Sequence, residues 1–471
     1  MPVTPARRIA FEVLRRVEAD GAYASDVLHA ELGANAASNF KADDAALATE
    51  LTLGVLRWRR LLDFLLARQL KKPVEKLDLP VLLALRLGLY QFRFLKRIPA
   101  RAAVNESVEL VKRAKKFSAA TLVNAVLRRT AEEANKSAEK FLPQNLPLAD
   151  RLGILHSHPT WMVERWLARL GEAQSVALLE ANNRTPRLTC TLHAQDVALL
   201  SAPEAFPAPD DVFALLKKSG LRIEPGVLLK NAFAVSGGSP TRTGAFRSGL
   251  LSIQDEASQI VPLLLDVQPR DTVLDLCAAP GGKTAPLARA AGSGGFVVAA
   301  DRHAHRLRVM RAQFERLGLS RVQLVELDAA RPLPFRDEFK RILVDAPCSG
   351  TGTLARHPEI RWRLRPAQLS EFHALQVALL KNALAQLAPG GRLVYSTCSM
   401  EPEENEDVVA EVLRNARTIQ RVSVAKATHA LAPFLVSGVE AEKLFDDSGD
   451  FRTSPPSRPT DGFFATLLER Q

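Results

Sequence analysis

The chain contains little cysteine and no long apolar run. Its four cysteines, Cys190, Cys277, Cys348 and Cys398, are far apart among 471 residues and form no Cys-x-x-Cys pair. This spacing argues against a structural zinc site and a disulfide framework, so we expect free thiols in a reducing, cytoplasmic compartment and no bound metal. The first twenty residues carry charges every few positions and lack the apolar segment of a secretory signal. Spanning a bilayer takes an uncharged apolar run of about 18 residues, and no run in the sequence approaches that length, so we expect no membrane segment.

Acidic residues are scarce in one part of the chain. The 63 lysines and arginines exceed the 52 aspartates and glutamates by 11, and residues 1–140 hold 25 of the basic and 16 of the acidic residues. Residues 86–129 alone contain eleven basic and only two acidic side chains. A single lysine usually lies on an ordinary solvated helix face, but the shortage of acidic partners favours a surface that meets a polyanion. The basic residues of this stretch are Arg86, Arg93, Lys96, Arg97, Arg101, Lys112, Arg113, Lys115, Lys116, Arg128 and Arg129.

The length predicts a multidomain chain, at roughly 100–200 residues per domain. Apolar residues recur at helical spacing through residues 1–140, which predicts an all-α bundle. Residues 141–180 are predicted as a proline-containing linker followed by a helix, and residues 181–245 as a small α+β module. Residues 246–471 alternate short apolar strands with helices, which predicts an α/β, Rossmann-like domain whose parallel sheet is covered on both faces. The predicted strands are 272–277, 295–301, 322–328, 341–347 and 391–399, followed by an apolar edge strand near 463–469.

A glycine loop follows the first of these strands. Gly281 and Gly282 stand between a strand and a helix, where glycine lets a ligand approach backbone N–H groups. A phosphate-binding P-loop would need glycine at the position of Cys277, so a nucleoside ligand without a triphosphate is favoured. Asp301 and Asp328 end the second and third strands, where carboxylates hold ribose hydroxyls or an adenine amino group. An aspartate after a strand is also a common helix N-cap, but Asp301, Asp328 and Asp345, three carboxylates in order after the loop, favour binding.

Two cysteines follow the next two strands. Asp345-Ala346-Pro347-Cys348 ends the fourth strand and Thr397-Cys398-Ser399 ends the fifth, so both thiols would face the ligand crevice if these strands are neighbours. Carbon 5 of a pyrimidine becomes nucleophilic enough to accept a methyl group when a thiolate adds at carbon 6. Asp345 is placed to hold the edge of such a base. Spacing alone does not distinguish the roles of the two cysteines, and Cys190 fits ordinary core packing.

Together these segments resemble the Sun/Fmu-type family of S-adenosylmethionine-dependent RNA cytosine-5 methyltransferases. Residues 1–140 resemble the NusB-type helical RNA-binding domain that is fused to one bacterial branch of that family, a branch that modifies a cytosine of small-subunit (16S) ribosomal RNA. The motifs that carry the resemblance are DLCAAPGGKT (275–284), DAPCSGTGTLARHPEIRW (345–362), YSTCSMEPEENE (395–406), SGLLSIQDEASQI (248–260), DGFF (461–464), VNESVEL (104–110) and LVNAVLRR (122–129).

The resemblance implies roles for individual residues. Cys398 would be the nucleophile, Cys348 would assist release of the product by elimination, and Asp345 would complete the catalytic set. S-adenosylmethionine would be the cofactor and ribosomal RNA the partner, and we expect a monomer. The residues implied to bind the cofactor are Cys277, Ala278, Ala279, Pro280, Gly281, Gly282, Lys283, Asp301, Asp328 and Asp345.

A second basic cluster lies beside the first cysteine motif, and with its aromatic residue it suits RNA backbone and base stacking. Its members are Arg356, His357, Arg361, Trp362, Arg363 and Arg365. The target cytosine must be unpaired or flipped out to reach such a pocket. A transfer-RNA methyltransferase remains an alternative, as does a noncatalytic RNA-binding or antitermination factor. The noncatalytic alternative predicts a broken cofactor loop or lost thiols, and the sequence shows neither.

Overall fold

The structure, a computed structural model, describes residues 3–35, 41–193 and 208–471. The chain forms two compact units. The helical unit comprises Met1–Thr185 and Leu354–Leu364, and the sheet unit comprises Pro186–Thr353 and Arg365–Gln471. The segment 354–364, which the sequence placed in the α/β domain, therefore packs with the helical unit, as does the predicted linker and helix of 141–180.

The described residues of the helical unit are mainly α-helical. Pro5 and Pro80 stand in the first turns of their helices, where a missing N–H costs nothing. The longest helix contains Gly171 at a φ of 74°, where two helical segments meet. The helices are α1 Pro5–Ala19, α2 Ala24–Asn35, α3 Ala42–Arg57, α4 Arg59–Ala67, α5 Leu79–Phe94, α6 Ala100–Arg113, α7 Ala120–Glu133, α8 Leu148–Leu155, α9 Thr160–Asn183 and, from the later segment, α15 Ile360–Arg363.

Helix α5 is the centre of the helical core. Every residue from Val81 to Gln91 is buried, which is typical of a helix that is apolar on all sides and surrounded by others. Helix α3 passes close to it at Gly54, since a Cβ there would lie 2.1 Å from Cζ of Tyr90. The close approach of these two helices therefore requires glycine at this position.

The segment 354–364 is attached to the helical unit through buried polar contacts. Arg361 is fully buried and donates hydrogen bonds to the carbonyl oxygens of Ser157, at 3.0 Å, and Asn182, at 3.1 Å. Trp362 Nε1 donates to the carbonyl oxygen of Leu56 at 2.7 Å. These side chains satisfy carbonyl groups at the ends of helices, so the segment belongs to the core of this unit.

The sheet unit begins with a small antiparallel sheet. Its strand order is β2-β3-β1-β4, and Cys190 of β1 is completely buried in its core. Burial raises the pKa of the Cys190 thiol to about 12, in keeping with the predicted packing role. Residues 194–207 of the predicted α+β module lie outside the described residues. The elements are β1 Leu188–Leu192, α10 Pro209–Lys218, β2 Arg222–Pro225, β3 Ala232–Ser236, α11 Gly244–Arg247 and β4 Leu251–Ile253.

A larger mixed sheet follows, with the strand order β10-β12-β9-β8-β5-β6-β7 and with β11 paired to β12. Strands β5 to β9 pair with one another in parallel, so the parallel sheet predicted from the sequence is confirmed. Its strands are β5 Thr272–Asp275, β6 Phe296–Asp301, β7 Val322–Glu326, β8 Phe339–Asp345, β9 Leu387–Thr397, β10 Ile419–Arg421, β11 Phe451–Thr453 and β12 Phe463–Arg470. Its helices are α12 Glu256–Leu264, α13 Thr284–Ala291, α14 Ala304–Arg316, α16 Ala367–Ala385, α17 Glu406–Leu413 and α18 Val424–Leu431.

Both faces of this sheet are buried. Val273 and Leu343 lie in one hydrophobic cluster, while their chain neighbours Leu274, Ile342 and Val344 lie in the cluster on the other face. Successive side chains of a strand point to opposite faces, so continuous apolar runs are required here.

The C-terminal strand β12 is interior, and the prediction of an edge strand is wrong. It pairs antiparallel with β9 on one side and with β10 and β11 on the other. Residues 463–468 are all buried, so this strand needs cover on its faces and partners at both edges. The short strand β10, with the sequence Ile-Gln-Arg, forms the exposed edge instead, as suits a polar segment.

Among the described residues, none of the helices combines the length and the apolar character needed to cross a membrane. The same residues contain no group of three or more histidine, cysteine, aspartate or glutamate side chains that could hold a metal ion.

Candidate active site

The loop after β5 is shaped by glycine and a buried carboxylate. Gly281 has a φ of 99°, and a Cβ there would lie 2.8 Å from Cε1 of Phe314, so only glycine fits without a shift. Thr284, at the start of α13, donates from Oγ1 to Oδ2 of Asp275 at 2.7 Å. Burial raises the pKa of Asp275 to about 7. The loop between these two residues is therefore held at both ends.

Lys283 of this loop binds the carboxylate at the end of β8. Its Nζ lies 2.7 Å from Oδ2 of Asp345, and Oγ of Ser396 donates to Oδ1 of Asp345 at 2.8 Å. Ser396 lies opposite Asp345 in the register of β8 and β9. Strand pairing therefore fixes Asp345 between a cation and a hydroxyl.

The other two predicted carboxylates follow β6 and β7 and make local contacts. Asp301 is only 4% exposed; its Oδ1 accepts from the backbone N of His303 at 3.0 Å and its Oδ2 from Arg306 at 3.2 Å. Asp328 accepts from the backbone N of Ala330 at 3.1 Å. Both therefore stabilise the turn after their strand, the alternative role noted from the sequence, and both stand at the carboxyl ends of parallel strands.

The two cysteines after β8 and β9 come together. The Sγ atoms of Cys348 and Cys398 are 3.4 Å apart, both thiols are free, and both residues are half-buried. The hydrogen bond with Cys398 and burial raise the pKa of Cys348 well above its usual value. Parallel pairing of β8 with β9 brings the two loops to the same end of the sheet, as predicted from the motifs.

The chain was compared with protein families and with individual known proteins, and matches cover nearly all of its length. The family model described as 16S rRNA methyltransferase RsmB/F matches residues 262–469, and the NusB family model matches residues 4–132. The probable ribosomal RNA small subunit methyltransferase B of Bacillus subtilis is 33% identical over 474 residues, with 100% of both chains covered. The chain belongs to the RsmB/F methyltransferase family. The family and the fold predicted from the sequence are thereby confirmed.

Two further proteins are similar to this chain over most of its length. The ribosomal RNA small subunit methyltransferase B of Pseudomonas syringae is 35% identical over 385 residues, covering 81% of this chain and 82% of its own. The crystal structure of a methyltransferase homolog protein from Pyrococcus horikoshii is 29% identical and has a TM-score of 0.56, covering 69% of this chain and 100% of its own.

The basic residues predicted to bind RNA divide into exposed, half-buried and buried groups. Lys112 and Lys116 are half-buried and pair with Glu109, at 2.7 Å, and Asp78, at 2.9 Å. Arg93, also half-buried, donates to the carbonyl oxygen of Ala134 at 2.7 Å. The exposed members are Lys96, Arg97, Arg101, Arg113, Lys115, Arg128 and Arg129. Of the basic residues predicted to bind RNA in this stretch, these seven therefore remain exposed to solvent.

Arg86 is not an RNA-binding residue, and its prediction is wrong. It is 2% exposed, and it pairs with Asp63, at 2.7 Å, and Glu18, at 2.6 Å. Helix α5 is surrounded on all sides, so a basic residue within it is buried, and its charge is balanced by two half-buried carboxylates.

The second basic cluster is also largely used within the helical unit. The prediction for Arg361 is wrong because that side chain is completely buried against carbonyl oxygens. Arg363 donates to the carbonyl oxygens of Val17 and Ala22, Arg356 is half-buried, and Arg365 is exposed. The spacing of these arginines in the sequence therefore does not show which of them bind carbonyl groups at helix ends and which face solvent.

Sequence reasoning missed two polar residues beside the predicted site. Ser396 binds Asp345, and Glu404 binds the residues that follow the cysteines. Both lie inside the motif YSTCSMEPEENE, so the signal was their proximity to Cys398, but their partners are distant in sequence and come together only through strand pairing.

Proposed function

We propose that this protein methylates carbon 5 of a specific cytosine in 16S ribosomal RNA, with S-adenosylmethionine as the methyl donor. The observation that carries the proposal is the pair of thiols 3.4 Å apart at the carboxyl ends of adjacent parallel strands, beside the glycine loop. The names of the relatives, which are small-subunit rRNA methyltransferases, support ribosomal RNA as the substrate.

The residues of the loop suit a nucleoside cofactor. Gly281 keeps the backbone of the loop free of a side chain, and Asp301 and Asp328 stand at successive strand ends where ribose hydroxyls and an adenine amino group are held in this class of fold. The loop Cys277 to Lys283 and Asp345 complete the proposed set. When bound, S-adenosylmethionine supplies an electrophilic methyl group.

The chain's own residues activate the cytosine. The Cys398 thiolate bonds to carbon 6 and thereby makes carbon 5 nucleophilic. Asp345, held by Lys283 and Ser396, binds the polar edge of the base. After methylation the Cys348 thiolate takes the proton from carbon 5, the electrons of that C–H bond re-form the C5=C6 double bond, and Cys398 leaves carbon 6 as a thiolate.

The division of labour between the cysteines rests on the motif resemblance, which assigns the bond to carbon 6 to Cys398 and the release of the product to Cys348.

RNA binding is assigned to the exposed basic residues of the NusB-like region.

The proposed function is tested by incubating the protein with 16S ribosomal RNA and with transfer RNA, each with labelled S-adenosylmethionine, and mapping 5-methylcytosine. We expect one modified cytosine in the ribosomal RNA. Label on transfer RNA alone, or on another atom of the base, would contradict the proposal.

A further inference from the structure

A buried carboxylate connects the two cysteine loops. Glu404 is fully buried at the end of a short 3-10 helix, Pro402–Glu404. Its Oε1 accepts from the backbone N of Ser349 at 2.7 Å, and its Oε2 accepts from the hydroxyls of Ser349 and Ser399. Because Ser349 follows Cys348 and Ser399 follows Cys398, one carboxylate contacts the residues directly after both cysteines.

The partners of Glu404 are neutral donors that occupy both of its oxygens. Gln376 Nε2 donates to Oε1 at 3.2 Å and also to the carbonyl oxygen of Pro347 at 2.9 Å. Burial raises the pKa of Glu404, while the hydrogen bonds from Ser349 and Ser399 oppose that rise. A carboxylate is the side chain that can accept from all of these donors at once, because it offers lone pairs on two oxygens and no competing N–H.

The strand ladder ends before it reaches the two thiols. The paired register of β8 and β9 ends at Asp345 opposite Ser396, before either cysteine is reached. Beyond that point the two loops are joined by the backbone hydrogen bond from Gly352 N to the carbonyl oxygen of Cys398, at 2.9 Å, and by the Ser349–Glu404–Ser399 bridge, in which the two serine hydroxyls are 3.1 Å apart. The bridge therefore lies one residue from each thiol.

We propose that Glu404 is a positioning residue that holds the loops of Cys348 and Cys398 at the separation required for two-thiol chemistry. The role of the thiols rests on the proposed function, but their separation is a property of the protein alone. The test therefore has one arm that needs no RNA and one arm that measures methylation.

The first arm measures the effective concentration of one thiol at the other. The folded protein is equilibrated with oxidised and reduced glutathione, so that the two cysteine thiols form a disulfide while glutathione disulfide is reduced to two glutathione molecules. Alkylation and mass spectrometry then quantify the Cys348–Cys398 link. We expect Glu404→Gln to lower the effective concentration by at least about tenfold, because its amide N–H₂ faces groups that also donate.

Glu256 provides a matched control for general loss of stability. It is a buried carboxylate of the same unit, 3% exposed, that accepts from the backbone N atoms of Leu228, at 2.7 Å, and Leu229, at 3.0 Å. Glu256→Gln should lower the free energy of unfolding as Glu404→Gln does, yet leave the effective concentration of the thiols within about twofold of the wild type. A similar loss in both variants would overturn the positioning role.

The second arm is methylation. We expect Glu404→Gln to lower kcat for RNA methylation by at least about tenfold and to leave the Kd of S-adenosylmethionine within about twofold. If the wild-type protein does not methylate RNA, the proposed function fails, whereas the glutathione measurement still decides the positioning role.

An unchanged effective concentration in folded Glu404→Gln overturns the inference. If that variant does not fold, Ser399→Ala decides, because it removes one hydroxyl of the bridge and keeps the carboxylate. A loss of several-fold in its effective concentration supports the bridge, and no change refutes it.

Discussion

The cysteine loops of the sheet unit and the basic surface of the helical unit hold their charges in opposite ways. At the loops, Lys283, Asp345 and Glu404 are each bound by named partners. On the helical surface, side chains such as Arg128 and Arg129 are exposed to water. Enclosed charge fixes the geometry of reacting groups, whereas exposed charge attracts a polyanion from a distance. Arg86 belongs to the basic stretch of the sequence, yet its charge is enclosed and not exposed.

The largest effect is expected where the chemistry is proposed to occur. Cys398→Ala should reduce methyl transfer to below about one thousandth of the wild-type rate, because the bond to carbon 6 is assigned to this thiol. Binding of S-adenosylmethionine should be unchanged in calorimetry. Turnover near the wild-type rate would remove Cys398 from the mechanism.

The buried charge of Arg86 in the helical unit should contribute to the stability of the fold and not to the affinity for RNA. Arg86→Ala removes a buried side chain and its charged hydrogen bonds to the half-buried carboxylates of Asp63 and Glu18, which should cost about 2–4 kcal/mol in the free energy of unfolding. Urea denaturation followed by circular dichroism measures this loss. A change of less than about 0.5 kcal/mol would mean that Arg86 behaves like a surface residue.

The free energy of unfolding should depend on pH through Asp275, a buried carboxylate of the sheet unit. The pKa of Asp275 is about 7 in the folded chain, above its ordinary value of 3.8, so the folded state holds this proton more tightly than the unfolded state. The resulting stability is fully present below pH 3.8 and is lost as the pH rises through about 7. Between pH 4 and 8 the wild-type protein should lose on the order of 2–4 kcal/mol more than Asp275→Asn, as measured by denaturation at both pH values. Parallel pH profiles of the two proteins would contradict the shift.

The smallest effect concerns the exposed charges. Replacing Arg128 and Arg129 by alanine should change the free energy of unfolding by less than about 0.5 kcal/mol. It should also reduce the slope of log K for RNA against log salt concentration by about 1 to 2. Filter binding across a salt series provides the slope. An unaltered slope would place the main RNA contact elsewhere.

The parallel part of the fold could be predicted because burial on both faces leaves a local signal. The strands β5, β6 and β8 each contain consecutive apolar residues, Val-Leu in β5, Phe-Val-Val-Ala-Ala in β6 and Ile-Leu-Val in β8, and each ends in an aspartate. The position of β12 could not be predicted in this way, because its partners depend on pairing between distant segments. The attachment of 354–364 to the helical unit depends on Arg361 meeting carbonyl groups far away in sequence.

The residues of the candidate site could be predicted where the motif itself carries the chemistry. Cys348, Cys398 and the glycine loop stand at strand ends, so their proximity follows from the sheet. Glu404 could not be assigned a contact, because its partners come from three separate segments of the chain. The exposure of Arg86 and Arg361 was misjudged because a charge count does not report which face of a helix is covered.

Cys348→Ala tests the central claim most directly. If Cys398 bonds to carbon 6 of the cytosine and Cys348 assists release, this variant should accumulate a covalent protein–RNA adduct that survives a denaturing gel, and peptide mass spectrometry should locate the nucleotide on Cys398. An active variant without any adduct, or an adduct at another residue, would contradict the account.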